Sequence, residues 1–230
     1  MKLIFVHGSG DTGEAFYYQT RYFKDSEAVN LPGHPDGKPC TSIDNYVEWL
    51  RGYIAGKGYK DMVVGGHSMG SAIVQWYALQ YPQELKGIIL LGAGARLRVH
   101  PRYLKECEDG IKDKDSWAKN RIAQKSSGDP EVRRYVLDKS LVVGPAVLLN
   151  DLVCCDKFDV MGRVPQIDLP TLVLCGSEDV MTPVRYTRFL AAKIKGAREA
   201  VIEGATHDVM IEKPTEVNQA IEEFLQGIAG

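Results

Sequence analysis

The stretch that decides the fold is Met62-Val63-Val64-Gly65-Gly66-His67-Ser68-Met69-Gly70-Ser71-Ala72-Ile73-Val74-Gln75-Trp76. It reads as a buried strand, a sharp turn carrying one serine, and a helix. Gly66-x-Ser68-x-Gly70 matches the pattern in which a serine sits in a strained strand-to-helix turn that lifts its hydroxyl above a sheet. Side chains two positions either side of that serine would collide with the incoming strand and the departing helix, so only hydrogen fits. Gly65 and Ala72 add small residues where the helix presses closest. The same string also arises by chance in a chain with 23 glycines, so its weight comes from the surrounding pattern.

Upstream, residues 2–6 are an apolar run after one lysine, which suits a strand covered on both faces of a parallel sheet. The run ends in His7-Gly8-Ser9-Gly10-Asp11-Thr12-Gly13, where glycines let the backbone curl and point amide hydrogens into a cavity. A plain glycine turn is the simpler reading, and a phosphate loop lacks its Gly-Lys-Ser/Thr ending. Helix signals over residues 15–23 carry Phe16, Tyr17, Tyr18, Tyr22 and Phe23, a cluster suited to core and pocket wall. A short strand is predicted near 28–31, before a turn-rich loop over 32–39 in which His34 either lines a pocket or is structural. Ile43, Tyr46, Val47, Leu50 and Ile54 recur at helical spacing, with Ser42 or Thr41 as cap and Gly56 or Gly58 as stop.

Downstream, Gly87–Gly92 is another buried strand. Residues 93–163 then break the alternation with polar, helix-like segments, interrupted at Pro101, Gly110, Gly128-Asp129-Pro130, Gly144-Pro145 and Gly162. The division expected is a core of 1–95 and 164–230 with a helical cap over 96–163, placed above the carboxyl edge of the sheet where ligands of open α/β folds lie. Between Arg96 and Lys139 it holds twelve Lys/Arg against eight Asp/Glu, either a solvated helical face or a greeting for an acidic substrate. Order returns with the strand Leu169–Gly176, which delivers Ser177-Glu178-Asp179, and a helix from Pro183 to about Lys195. The strand Ala200-Val201-Ile202 delivers Gly204-Ala205-Thr206-His207-Asp208, and Pro214 opens a final helix.

Composition narrows the classes. At 230 residues, 44% hydrophobic and 25% charged, the chain suits one globular domain with a modest insertion. A net charge of −2 without a basic run gives no attraction to nucleic acid. Nothing approaches the about 20 apolar residues of a membrane span, and the short apolar start passes straight into the His7 loop, so no signal peptide is expected. Cys40, Cys107, Cys154, Cys155 and Cys175 are odd in number and lack C-x-x-C spacing, which suits reduced thiols and the cytoplasm rather than disulfides or zinc.

A serine hydroxyl needs a base during attack, and a histidine serving as base needs a carboxylate to orient it. Ser68, Asp179 and His207 each fall just beyond a predicted strand, in that chain order. On these motifs the chain resembles the α/β-hydrolase fold superfamily, in particular its small capped carboxylesterases and the metabolite hydrolases and lyases grouped with them. The resemblance implies a mostly parallel sheet of about six strands flanked by helices, without the two leading antiparallel strands of larger members. It implies Ser68 as nucleophile, Asp179 as acid, His207 as base, and an oxyanion hole from the amides of Met69 and either Gly8 or Ser9.

Glu178, Asp208 and, more distantly, Asp151 rival Asp179, while His67 and His100 are weaker rivals of His207. Thr206 departs from the glycine that many members carry before the histidine. The expected activity is hydrolysis of a small-molecule ester through an acyl enzyme, with no metal or organic cofactor. Thioester hydrolysis, carbon–carbon cleavage, elimination, or a non-catalytic receptor role remain open, as does the oligomeric state.

Overall fold

The apolar runs line up side by side in one sheet. In the computed structural model, which describes residues 1–123 and 127–229, the strands are β1 (Lys2–Val6), β2 (Ser26–Val29), β3 (Met62–His67), β4 (Leu85–Leu91), β5 (Thr171–Gly176) and β6 (Arg198–Ile202). They are ordered β2-β1-β3-β4-β5-β6 and every neighbouring pair is parallel. All six carboxyl ends therefore share one rim. The order reverses between β1 and β3, and such a switch point opens a crevice beyond the strand ends. The loop after β1 and the turn after β3 face each other across it.

Ten α-helices lie among the described residues. They are α1 (Tyr17–Tyr22), α2 (Ile43–Lys57), α3 (Met69–Gln80), α4 (Pro101–Lys112), α5 (Lys114–Ala123), α6 (Pro130–Val143), α7 (Pro145–Lys157), α8 (Val184–Lys193), α9 (Val209–Glu212) and α10 (Pro214–Ala229). Side chains alternate across the sheet. Ile4, Val6, Val64, Ile88, Leu90 and Val173 pack with Leu50 of α2, Ile73 of α3 and Leu190 of α8. Leu3, Phe5, Val63, Ile89, Leu91 and Leu174 pack on the other face with Val217, Ile221 and Phe224 of α10. Covering both faces is what continuous apolar strands require.

Four helices, α4 to α7, occupy the excursion between β4 and β5. Its two ends meet: the Val160 amide donates to the Ala95 carbonyl at 2.8 Å, and Arg96 and Asp159 form an isolated antiparallel bridge. Lys125, counted among the basic residues of this stretch, lies outside the described residues.

Local boundaries differ from the sequence reading where tertiary contacts intervene. The second strand runs over Ser26–Val29 rather than 28–31, because Asn30 turns its side chain to accept from the Gly13 amide at 2.7 Å. The aromatic segment begins with a 3₁₀ turn over Gly13–Phe16 before α1. Gly110 does not interrupt a helix but lies inside α4, where a side chain would strike Trp117 of α5. Ser42 caps α2 and Gly58, at φ 67°, ends it.

The turn between β3 and α3 leaves no room for side chains at its two glycines. A Cβ on Gly66 would overlap the Gly70 carbonyl, and one on Gly70 would overlap the carbonyl oxygen of Val6. Both obstacles are backbone and neither can rotate aside. Gly70→Ala should therefore lose about 3 kcal/mol or more, at the upper end of overpacking costs, read as a lower denaturant midpoint. A midpoint equal to that of the wild type would contradict the close approach.

Candidate active site

Ser68 is where strand becomes helix, and its backbone is strained. At φ 51° and ψ −114° it occupies a region L-residues avoid, at a cost on the order of 1–3 kcal/mol. Its amide donates to the Leu91 carbonyl at 3.0 Å. Its carbonyl accepts from the Ser71 amide at 2.9 Å and the Ser71 hydroxyl at 2.6 Å. Pinned on both sides, the residue has one backbone pose at the head of α3.

Asp179 and His207 follow β5 and β6 to the same rim. His207 Nδ1 donates to Asp179 Oδ2 at 2.8 Å; the carboxylate is fully buried and the imidazole 19% exposed. The other oxygen, Oδ1, accepts from the amides of Met181 and Thr182 at 2.8 Å each, and the Thr182 hydroxyl donates to Oδ2 at 2.8 Å. With Nδ1 engaged, Nε2 is the nitrogen free to exchange a proton. On the elbow side, His67 Nε2 donates to the His207 carbonyl at 2.9 Å, and the two rings lie 4.7 Å apart. A side chain on Gly92, just past β4, would come within 3.1 Å of the His207 ring and 3.3 Å of the His67 ring.

Electrostatics separate the histidines. Burial opposes a charge on His207, but the hydrogen bond and charge of Asp179, with Asp208 and Asp11, outweigh it and hold its pKa above the ordinary value. Burial likewise opposes charge on Asp179, yet His207 and Thr182 bring its pKa below the usual carboxylate range. His67 is pulled down to about 4 by burial and by His207, and His7 to about 3 by burial and by His34. Leu31 donates its amide to His7 Nε2 at 3.1 Å, which leaves the proton on Nδ1, donated to the Gly8 carbonyl at 2.8 Å. Asp11 is raised to about 6 by burial and by the like charge of Asp208, against Arg121, His207 and His34.

Some of the remaining sequence candidates lie close to this group and others lie apart from it. Gly8 lies over the elbow: a Cβ there would be 3.2 Å from Ser68 Cβ. Ser9 Oγ is 3.5 Å from Cys155 Sγ. Met69 opens α3, and amides in a helix's first turn have no carbonyl within it to bond. Glu178 is exposed while Asp179 is buried. Asp208 stands at the head of α9, and His100 accepts from the Arg102 amide as the cap of α4. Asp151 meets His34, Tyr46 and Gly10 rather than His207. Sequence reading missed Thr182 and Glu212. Asp179-x-x-Thr182 has the spacing of a side-chain-capped turn, a signal open to anyone looking. Glu212 accepts from the Thr206 amide and, at 2.7 Å, its hydroxyl, which gives a threonine a use beside His207. Among the described residues no cluster of three or more His, Cys, Asp or Glu could hold a metal ion, and no helix is long and apolar enough to cross a membrane.

A parallel sheet with an elbow serine and an Asp–His pair on its carboxyl rim defines an α/β-hydrolase. Residues 33–214 match the model of the Hydrolase_4 family, serine aminopeptidase S33, and the chain belongs to that family. Among curated relatives it is similar to the pimeloyl-[acyl-carrier protein] methyl ester esterase of Neisseria meningitidis serogroup A, at 22% identity over 87% of this chain and 68% of that protein. It is also similar to the (E)-2-((N-methylformamido)methylene)succinate hydrolase of Acinetobacter baylyi, at 24% identity over 97% of this chain and 90% of that one. Among solved structures it is similar to a thermophilic esterase, with 31% identity, a TM-score of 0.84, and 99% of this chain and 90% of the other covered.

The pKa pattern is open to direct measurement. In an NMR titration His207 should titrate above about 6.5, the ordinary histidine value, and Asp179→Asn should move it down. His67 and His7 should stay neutral throughout pH 5–8, given values of about 4 and about 3. A His207 titrating below both would contradict the assignment of charges.

Proposed function

We propose that the protein hydrolyses carboxylic esters of small molecules through an acyl enzyme on Ser68. His207 serves as base and Asp179 as the carboxylate that orients it. The amide of Met69 and that of Gly8 or Ser9 form the oxyanion hole. The observation that carries this reading is the 2.8 Å bond from His207 Nδ1 to a buried Asp179, with the His207 ring 4.7 Å from that of His67, the residue before Ser68 in the strained elbow. The esterase names of its relatives point the same way.

In the first step Ser68 Oγ attacks the ester carbonyl while its proton passes to His207 Nε2. The carbonyl oxygen takes the negative charge and is met by backbone N–H groups already aimed at it, which is where most of the stabilisation arises. The imidazolium is stabilised by Asp179 and then gives its proton to the departing alcohol. Water attacks the acyl enzyme, His207 takes its proton, and the carboxylic acid leaves with Ser68 restored.

The helices over residues 96–163 act in this reading as a cap that shapes the acyl pocket, supported by the joined ends of the excursion at Ala95 and Val160. Five free thiols suit a cytoplasmic setting.

Ser68→Ala should reduce kcat on a short p-nitrophenyl ester by about 10⁴-fold or more and abolish labelling by a fluorophosphonate. Turnover near the wild-type level in that variant would refute the proposal. Because His207 works as a base only when neutral and its pKa is raised, kcat/KM should climb with pH along an acid limb centred above about 6.5. A profile flat from pH 5 to 8 would count against His207 as base.

A further inference from the structure

Asp151 lies in α7, fully buried, apart from Ser68, Asp179 and His207. Its carboxylate gathers partners from three other segments. Oδ2 accepts from the Gly10 amide at 2.9 Å and meets His34 Nε2 at 2.8 Å. Oδ1 accepts from the Tyr46 hydroxyl at 2.9 Å and the Asn150 side chain at 3.4 Å. These partners reach it from the loop after β1, the loop after β2, helix α2 and α7 itself.

The contact with Gly10 is the consequential one. Gly10 turns the chain at φ 67° directly after Gly8 and Ser9, and a side chain on it would lie 2.9 Å from Leu148. Ser9 Oγ meets Cys155 Sγ at 3.5 Å. Leu148, Asp151 and Cys155 are spaced i, i+3, i+7, one face of α7, so Ser9 and Gly10 are seated on that face. An ionised acceptor holds a backbone amide more firmly than a neutral one, and a donor aimed at a developing charge has to be held to a fraction of an ångström.

We infer that Asp151 is a positioning residue for the oxyanion loop, tethering the Gly10 amide so that the amides of Gly8 and Ser9 keep their aim. The inference rests on the proposed function, because the loop needs an aim only if an oxyanion forms beside it. It also gives the excursion between β4 and β5 a second task, as a support of the site from behind.

Asp151→Asn preserves the shape, removes the charge and sets an NH2 against one side of the donor cluster. Its kcat per fluorophosphonate-labelled site should fall about 10- to 100-fold while KM stays within about 3-fold, the signature of a misplaced group rather than a lost binding contact. His34→Gln, which removes the ring sharing Oδ2, should lower kcat in the same pattern by about 3- to 10-fold, and it carries the test if the first variant does not fold. Ile54→Ala, a core truncation elsewhere on α2, should lower the melting temperature and leave kcat per labelled site within about 2-fold, which separates positioning from stability. Wild-type turnover with an unimpaired Asp151→Asn, or with His34→Gln unimpaired where the first variant fails to fold, would overturn the inference alone. A loss of kcat matched by the Ile54→Ala control would overturn it too. A wild-type protein that hydrolysed no ester would overturn the proposed function and this inference together.

Discussion

Everything at the rim depends on how closely α3 crosses β1 and β3. The crossing is possible only because residues 66 and 70 present hydrogen where any side chain would enter the backbone of Gly70 or Val6. That approach forces the connecting residue into positive φ, and the residue so forced is Ser68. The strain of one backbone is offset by the burial of a whole helix: Met69, Ala72, Ile73 and Val74 are all buried completely against the sheet. A turn locked in this way exposes its side chain and keeps it in place, which a flexible loop would not do.

The second constraint is electrostatic. His7, His67 and His207 crowd one rim, and if all three took protons the site would repel itself. Burial keeps His7 and His67 neutral, and each then serves as a fixed donor to a carbonyl. Of these three, His207 is the one with a carboxylate on its ring to support a charge. The same pairing links the site to stability. With its pKa raised, His207 contributes stability that is complete below the unfolded histidine value and is lost as pH rises through its folded value. Asp179, with its pKa lowered, contributes stability above the unfolded carboxylate value, lost as pH falls through its folded one. The pair therefore favours the folded state most in the mildly acidic window between the two.

The core was legible because its signals are local and repeated. Apolar runs such as Leu3–Val6 and Ile88–Leu91 read as buried strands, and residues just beyond a strand end of a parallel sheet must lie on one rim. That logic does not by itself separate Asp179 from the adjacent Glu178; in the structure the first is buried and the second exposed. Its limit is the contact that no spacing encodes. Gly110 reads as a breaker because nothing in the sequence reveals Trp117 lying on it. Asp151 reads as a distant rival acid, because its partners Gly10, His34 and Tyr46 come from segments more than a hundred positions away. The positive balance of the helices between β4 and β5 is partly consumed in pairs along their own surfaces, such as Lys105 with Asp109 and Arg134 with Asp138.

The most direct test of the account is a crystal structure of the protein after reaction with a small alkyl fluorophosphonate, which mimics the tetrahedral intermediate. The account predicts phosphorus bonded to Ser68 Oγ, His207 Nε2 in hydrogen-bond contact with the adduct, and the phosphoryl oxygen about 2.7–3.1 Å from the Met69 amide and from one amide of the Gly8-Ser9 loop. A phosphoryl oxygen turned to solvent with neither amide near it, or an adduct on any other side chain, would contradict it.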